Sequence, residues 1–272
     1  MNEQPTFASS DSTLAKASMT RAAIRAGDYK GATGHLASGF VQSNIVILPE
    51  AYAADFLKFC HLNPKPCPLL ALGAPGDPRL PTLGEDIDIR TDVPAYRVFK
   101  DGKEVDVVHD IKALWRGDLV TFALGCSFSF EEAIQEAGLS IRHCELNLIN
   151  PMYTTNIATL SVGPFGGPTV VTMRPFKPAD AIRAIQITSR FPQVHGAPIH
   201  FGDPAAIGIA DLGQAEYGGD SVPIYDGEIP VFWACGVTSQ IAVISAALPY
   251  CITHKPASML ITDRRNAEFS VF

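Results

Sequence analysis

Apolar and polar positions along the chain fall into short blocks whose period keeps changing. The apolar run Asn44–Leu48 within SNIVILP predicts a short buried strand. Pro49 then opens a helix running to about His61, with Phe56, Leu57 and Phe59 to bury. LLAL (69–72), Ile87–Arg90, Ala95–Lys100 and Glu104–Val108 read as strands, with KDGK as a hairpin turn between the last two. An earlier helix is expected near Lys16–Ala26, ended by Gly27, behind a small, polar and mobile tail over residues 1–15. GAPGDPRLPTLGED is loop, dense in Gly, Pro and Asp.

Two later segments share one plan. DLVTFALGCSFSFEEAIQEAG is an apolar run, then Gly125-Cys126-Ser127, then a helix in which Ser129 and Glu132 make a capping box. EIPVFWACGVTSQIAVISAAL repeats it with Cys235-Gly236 and Thr238 as the cap. Both are strand–loop–helix units of the kind that gather ligands at the carboxyl ends of strands. Between them, His143–Leu148 and Thr169–Arg174 look like strands and Pro178–Ser189 like a helix. The expected fold is therefore α/β, a mixed sheet with flanking helices. Residues 16–127 and 207–272 form the main domain, and a smaller two-layer α+β domain is inserted at 128–206.

Composition narrows the class. The chain has 272 residues, 47% hydrophobic and 18% charged, with a formal charge of −7. No Lys/Arg run offers a phosphate-tracking stripe, which argues against nucleic acid as a partner. Ile229–Ile252 lacks charge, but its Pro, Gly and Gln residues fit a strand, a turn and a short helix better than a membrane span. Six cysteines without a CxxC pair, and no charged-then-apolar leader, lead to the expectation of a reduced cytoplasmic protein. Self-association is compatible with the sequence.

The chemistry concentrates in a few places. Cys126 and Cys235 stand where strand meets helix, a position that lowers a thiol pKa and binds anions, although cysteine is as often a small buried hydrophobe. Ser127, Ser129 and Thr238 are candidates for holding a substrate carboxylate at a helix start. In TSRFPQVHGAPIHFGDP (188–204), His195 and His200 with Asp203 suit general acid–base work. Their five-residue spacing among Gly and Pro makes a metal set the weaker reading, and no metal ligand is assigned. Arg190, and less so Arg174, offers a fork for a carboxylate. GCSFS lacks the second Gly of a nucleophile elbow. No Rossmann fingerprint or P-loop is present, and the residues identify no cofactor.

Several ordered blocks carry a resemblance. GCSFSFEEA (125–133), NPMYTTN (150–156), MRPF (173–176), TSRFPQVHGAPIHFGDP, GIADL (208–212), PVFWACGVT (230–238) and ITHKP (252–256) resemble the D-glutamate cyclase family, as do GFVQSNIVILP (39–49) and NPKPCPLL (63–70). The resemblance covers about residues 20–263. It implies a hydro-lyase acting on a small carboxylic or amino acid, with loss of water from D-glutamate to give 5-oxo-D-proline as the candidate reaction. It also implies Tyr153, Asn156 and His254 as substrate-binding positions. Leu148 and Thr154 stand where the family pattern has arginines, and Ala257-Ser258 where it has Gly-His. A non-catalytic carboxylate binder is the alternative expectation, and a metal-dependent hydrolase using His195, His200 and Asp203 a weaker third. In the lyase reading, His195 or His200 steered by Asp203 moves protons, and backbone N–H groups at Gly125–Ser127 hold the oxyanion.

Overall fold

A computed structural model of the protein describes residues 10–34, 36–218 and 221–271. The first element is helix α1 (Ser10–Ala26), which starts inside the stretch expected to be a tail; residues 1–9 lie outside the described residues. Strand β1 (Phe40–Pro49) leads into α2 (Glu50–Leu62) and β2 (Leu69–Leu72). The hairpin β3 (Tyr96–Lys100) and β4 (Lys103–Val108) precedes β5 (Leu119–Leu124) and α3 (Phe128–Glu136). A short helix α4 (Arg142–Glu145) follows, then β6 (Pro151–Ala158), β7 (Pro168–Phe176) and α5 (Pro178–Thr188). Two-residue strands β8 (His200–Phe201) and β9 (Tyr217–Gly218) precede β10 (Ile229–Ala234) and α6 (Val237–Ser245). The chain closes with β11 (Cys251–His254) and β12 (Leu260–Arg265).

The strands form two sheets with flanking helices, an α/β fold. The larger runs β2-β5-β1-β11-β3-β4, with β12 also on β1; the smaller runs β8-β10-β7-β6-β9. Every pairing among the described residues is antiparallel. All ten residues of β1 are buried, so Ile45–Leu48 reads as an unbroken apolar run and not as an alternation, and the polar Gln42, Ser43 and Asn44 before it are buried with backbone carbonyls as partners. Two layers cover it. Phe56, Phe59, Val243 and Leu248 pack on one side of the larger sheet, and Ile87, Ile89, Val93 and Ile111 belong to the cluster with Ile45 and Ile47. Helix α3 is held between the sheets: Phe130 and Ile134 share a cluster with Val41 of β1 and with Trp233 of β10.

Three sequence expectations are corrected. β10 pairs with β7 and β8, so Ile229–Ala234 belongs to the smaller sheet, and the chain rejoins the larger sheet only at β11, well after residue 206. Arg142–Glu145 is helical where a strand over His143–Leu148 was expected, and His143 is buried beneath it in a polar cluster. Ile87–Arg90 makes only a single antiparallel bridge, Asp88 with Arg79, before a turn: the Ile89 N–H bonds the Pro78 carbonyl, while Asp88 accepts the Arg90 N–H and Asp92 the Asp88 N–H, so side-chain acceptors stop the pairing from extending into a strand.

β1 changes partner along one edge. Ser43 pairs with Leu260 of β12, and Val46 with Thr253 of β11. The chain leaves the sheet at His254 and returns at Leu260, so the connecting loop stands over Asn44 and Ile45. This break in the ladder is where the candidate site forms.

Candidate active site

Two strand-to-helix turns meet at this break. Gly125-Cys126-Ser127 links β5 to α3, and Cys235-Gly236 links β10 to α6. A side chain on Gly125 would collide with the Gln193 carbonyl, and one on Gly236 with the Asn44 amide. Both positions therefore require glycine because other groups approach too closely. Asn44 ties the turns together: its Nδ2 donates to the Gly125 carbonyl at 2.7 Å while its side chain lies against Gly236. Between the turns is a cavity of about 30 Å³ whose wall includes Asn44, Cys126, Ser127, Asn150, Cys235 and His254. Pro256, Ala257 and Met259 close it from the β11–β12 loop.

Both thiols are buried at helix starts, where two opposing effects act on them. Burial pushes Cys126 up to about 12, against the Phe128 N–H, which favours the thiolate. Burial pushes Cys235 up to about 11, against the Val237 and Gly236 N–H groups and the Arg174 charge. Desolvation outweighs the helix starts, so both are neutral thiols at pH 7, contrary to the lowered pKa expected from position alone. His254 accepts the Ile45 N–H on Nδ1 at 3.0 Å, and burial lowers its pKa to about 4. It is a neutral imidazole with its proton on Nε2. The Gln240 amide lies 3.2 Å from that nitrogen, and Gln240 Oε1 has no other partner; the amide orientation that places oxygen there satisfies both.

A charged network supports α3 from behind. Arg174 on β7 is fully buried, donates from Nε to Glu131 Oε1 at 2.9 Å and from Nη2 to Ser127 Oγ at 3.1 Å, and pairs with the same carboxylate through Nη2. Its guanidinium lies 5.2 Å from the Phe130 ring centroid and 5.4 Å from that of Trp233. Burial works to raise the Glu131 pKa, but Arg174 and His143 together hold it down at about 2.

Of the residues singled out in the sequence, Cys126, Cys235, Ser127 and His254 line the cavity. The others are placed elsewhere. Arg174 serves Ser127 and Glu131. Ser129 is inside α3, and Glu132 accepts from Asn266 at 2.9 Å, so no capping box forms. Thr238 is inside α6, where its hydroxyl accepts the Val170 N–H at 2.9 Å and pins the helix to β7. His195 is buried behind Gly125, with Nδ1 on the Lys65 carbonyl at 2.8 Å and a pKa lowered to about 4 by burial. His200 Nε2 bonds the Asp203 carbonyl at 2.7 Å, while the Asp203 carboxylate caps the Ala205 N–H at 3.0 Å. The side chains of His195, His200 and Asp203 thus form no common metal set. Arg190 is exposed at the end of α5 and bonds the Val271 carbonyl at 3.2 Å. Tyr153 donates to the Leu212 carbonyl at 2.8 Å, and Asn156 is exposed against Gly208. The Gly125 N–H is committed to the Pro68 carbonyl at 2.8 Å, which removes it from an oxyanion hole.

Sequence reasoning missed Asn44 and Asn150. Asn44 was hidden inside an apolar run, and its role depends on the contact with Gly236, distant in sequence. Among the variant positions, Leu148 packs near Tyr153, and the Thr154 N–H donates to Glu216 at 3.0 Å. Ala257, where the family pattern has Gly, adopts a left-handed φ of 68° in the cavity wall.

Fold and site together define a two-sheet α/β protein with a small, thiol-bearing and largely apolar cavity, holding a few polar groups, where the sheets meet. The chain belongs to the D-glutamate cyclase family, whose model matches residues 120–263 and so spans both cysteine turns. A Bordetella pertussis protein named "putative hydro-lyase" is 63% identical over 248 residues, covering 91% of this chain and 89% of that one. A protein of the same name from Verminephrobacter eiseniae is 60% identical over 258 residues, covering 95% and 94%. Another from Bradyrhizobium diazoefficiens is 58% identical over 251 residues, covering 92% of each. The solved structure of a nitrogen repressor-like protein from Methanococcus jannaschii covers 93% of this chain and 98% of its own, at 8% identity and a TM-score of 0.38, too distant to bear on fold or function.

Proposed function

We propose that this protein is a carbon–oxygen lyase that removes water from a small carboxylic or amino acid in the cavity between the Cys126 and Cys235 turns, with cyclisation of D-glutamate to 5-oxo-D-proline as the candidate reaction. The observation that carries this reading is the convergence of two neutral thiols, two helix starts, two asparagines and a neutral histidine on one buried cavity. Family membership and the hydro-lyase names of the relatives support the reaction class.

Cyclisation moves two protons from nitrogen to the departing oxygen, so the site needs groups that give and take protons without a net change. Each neutral thiol can give its proton to the departing oxygen and the thiolate it leaves recovers one from the substrate nitrogen, so two protons pass from nitrogen to oxygen with both thiols restored; the substrate ammonium nearby stabilises each thiolate while it lasts. His254, with Nδ1 on the Ile45 N–H and Nε2 on Gln240, shapes the wall and moves no proton, while Asn44 and Asn150, each with one amide N–H held inside the protein, keep a second for a carboxylate oxygen. In this reading the acid–base roles pass from His195 and His200 to Cys126 and Cys235.

At about 30 Å³ the cavity has room for about one water, whereas ligand pockets usually exceed about 300 Å³. Admission of substrate therefore requires the β11–β12 loop to move. That loop is fastened by the Thr33 N–H to the Ala257 carbonyl at 2.8 Å and by the Met259 N–H to Thr33 Oγ1 at 2.9 Å.

An NMR time course of the protein with D-glutamate, L-glutamate and a panel of small hydroxy acids tests the proposal. Formation of 5-oxoproline from the D-isomer alone supports the full reading. Water loss from another acid keeps the lyase and reassigns its substrate. No turnover across the panel, with ligand-induced thermal stabilisation, would replace it with a non-catalytic carboxylate binder.

A further inference from the structure

A second cluster of chemically capable side chains, joined to the thiol cavity only through Arg174 and Ser127, takes no part in the water-loss reading. Glu131 comes from α3, and His143 and Cys144 from α4. One ligand atom from each lies within 4.8 Å of the others. His143 Nε2 is 3.2 Å from Glu131 Oε1, within ion-pair reach but off the line of a hydrogen bond, and this deeply buried nitrogen has no hydrogen-bond partner. Cys144 Sγ is 3.9 Å from Glu131 Oε2. The carboxylate is divided between two tasks: Oε1 receives Arg174, while Oε2 faces the thiol.

We propose that Glu131, His143 and Cys144 bind one divalent cation of the zinc class, with an open coordination position facing the pocket beside α3. The donors are a thiolate, an imidazole and a carboxylate, a set that selects zinc over magnesium or calcium. Ligand atoms around a tetrahedral zinc stand about 3.3–3.7 Å apart, as follows from bonds of about 2.0–2.3 Å. His143 Nε2 approaches one carboxylate oxygen and Cys144 Sγ the other, and one ligand atom from each residue lies within 4.8 Å of the others, so the three side chains must draw inward to reach this spacing around one ion. Arg174 on Oε1 is the outer support that ligating carboxylates commonly have. Its positive charge opposes a cation, but Glu131 and a Cys144 thiolate outnumber it by one. The free coordination position has space, because Glu131 and Cys144 both line a pocket of about 420 Å³ between α3 and residues 36–40. The pocket also presents Gln42, Glu132 and Asn266, all able to accept hydrogen bonds from a metal-bound water or amine ligand.

Chelator-treated full-length protein is titrated with Co²⁺ and followed optically, and its Zn²⁺ stoichiometry is measured by equilibrium dialysis. One ion per chain and a thiolate-to-cobalt charge-transfer band are expected. Cys144→Ser should abolish the band, and His143→Gln should weaken Zn²⁺ binding by at least about 10-fold. Thermal melts check that each variant is folded, and either folded variant suffices to decide. No band, or a band and Zn²⁺ affinity unchanged in the folded variants, as when the ion sits on the neighbouring Cys60 and Cys67, would overturn the proposal. Neither readout depends on turnover.

Discussion

The two cysteine turns look alike in sequence but are braced by different physics. The Cys126 turn rests on charge: Ser127 is held by Arg174, itself paired with Glu131 in a fully buried network. The Cys235 turn rests on neutral contacts. Thr238 pins α6 to β7, Asn44 fills the space beside Gly236, and Cys235 Sγ lies 3.2 Å from Met152 Sδ. Each turn also has one buried neutral histidine nearby: His195 behind Gly125, and His254 against Gln240 of α6. A short strand–loop–helix motif thus specifies where a thiol sits, while the support that fixes it comes from remote residues and need not be the same twice.

The contrast can be broken most forcefully on the charged side. Arg174→Met leaves Glu131 buried without its partner and should cost about 3–5 kcal/mol, read as a large drop in melting temperature. Glu131→Gln in the same chain should recover part of the loss, because it removes the stranded charge.

Acid should reach the histidines before the ion pair. His195 and His254 have pKa values near 4 in the fold, against about 6.5 in an unfolded chain. Between those values the unfolded chain takes up protons that the folded one refuses. Their contribution is complete above about 6.5 and is lost as pH falls towards 4, amounting to about 3 kcal/mol for each. Glu131, held at about 2, gives way only as pH falls below 4.5. Denaturant midpoints measured from pH 7 to pH 4 should fall steadily. A flat profile down to 4.5 would show that neither histidine is held neutral.

On the neutral side the effects are smaller. Thr238→Val keeps the shape but strands the Val170 N–H, at about 1–3 kcal/mol. Smallest is a gain: Ala257→Gly relieves a left-handed backbone and should stabilise by about 0.5–1 kcal/mol. A melting temperature that falls in this variant would mean that the Ala257 methyl contributes more by packing than its φ costs.

Much of the fold was legible because its signals are local. LLAL became β2, Pro178–Ser189 became α5 to within a residue, and both cysteine turns appeared where an apolar run met a helical one. The partner of β10 was not legible, since IPVFWA would suit either sheet and the choice depends on contacts with Met173 and Phe201. The site was harder to read. The stretch 188–204 drew attention through its polar residues, yet His200 and Asp203 bond within their own loop, His195 bonds the Lys65 carbonyl, and it is Gln193 and Val194 that pack against Gly125. Asn44 gave no signal of its own, because a buried asparagine in a strand becomes informative only when Gly125 and Gly236 are seen around it.

The most direct test of the account replaces each thiol separately by serine and follows water loss by NMR on whichever acid the wild-type protein turns over. If Cys126 and Cys235 are the proton-moving pair, each single variant should fall by about 10²–10⁴-fold while still binding the acid. Wild-type turnover retained in either folded variant would contradict the assignment and return the acid–base role to other residues.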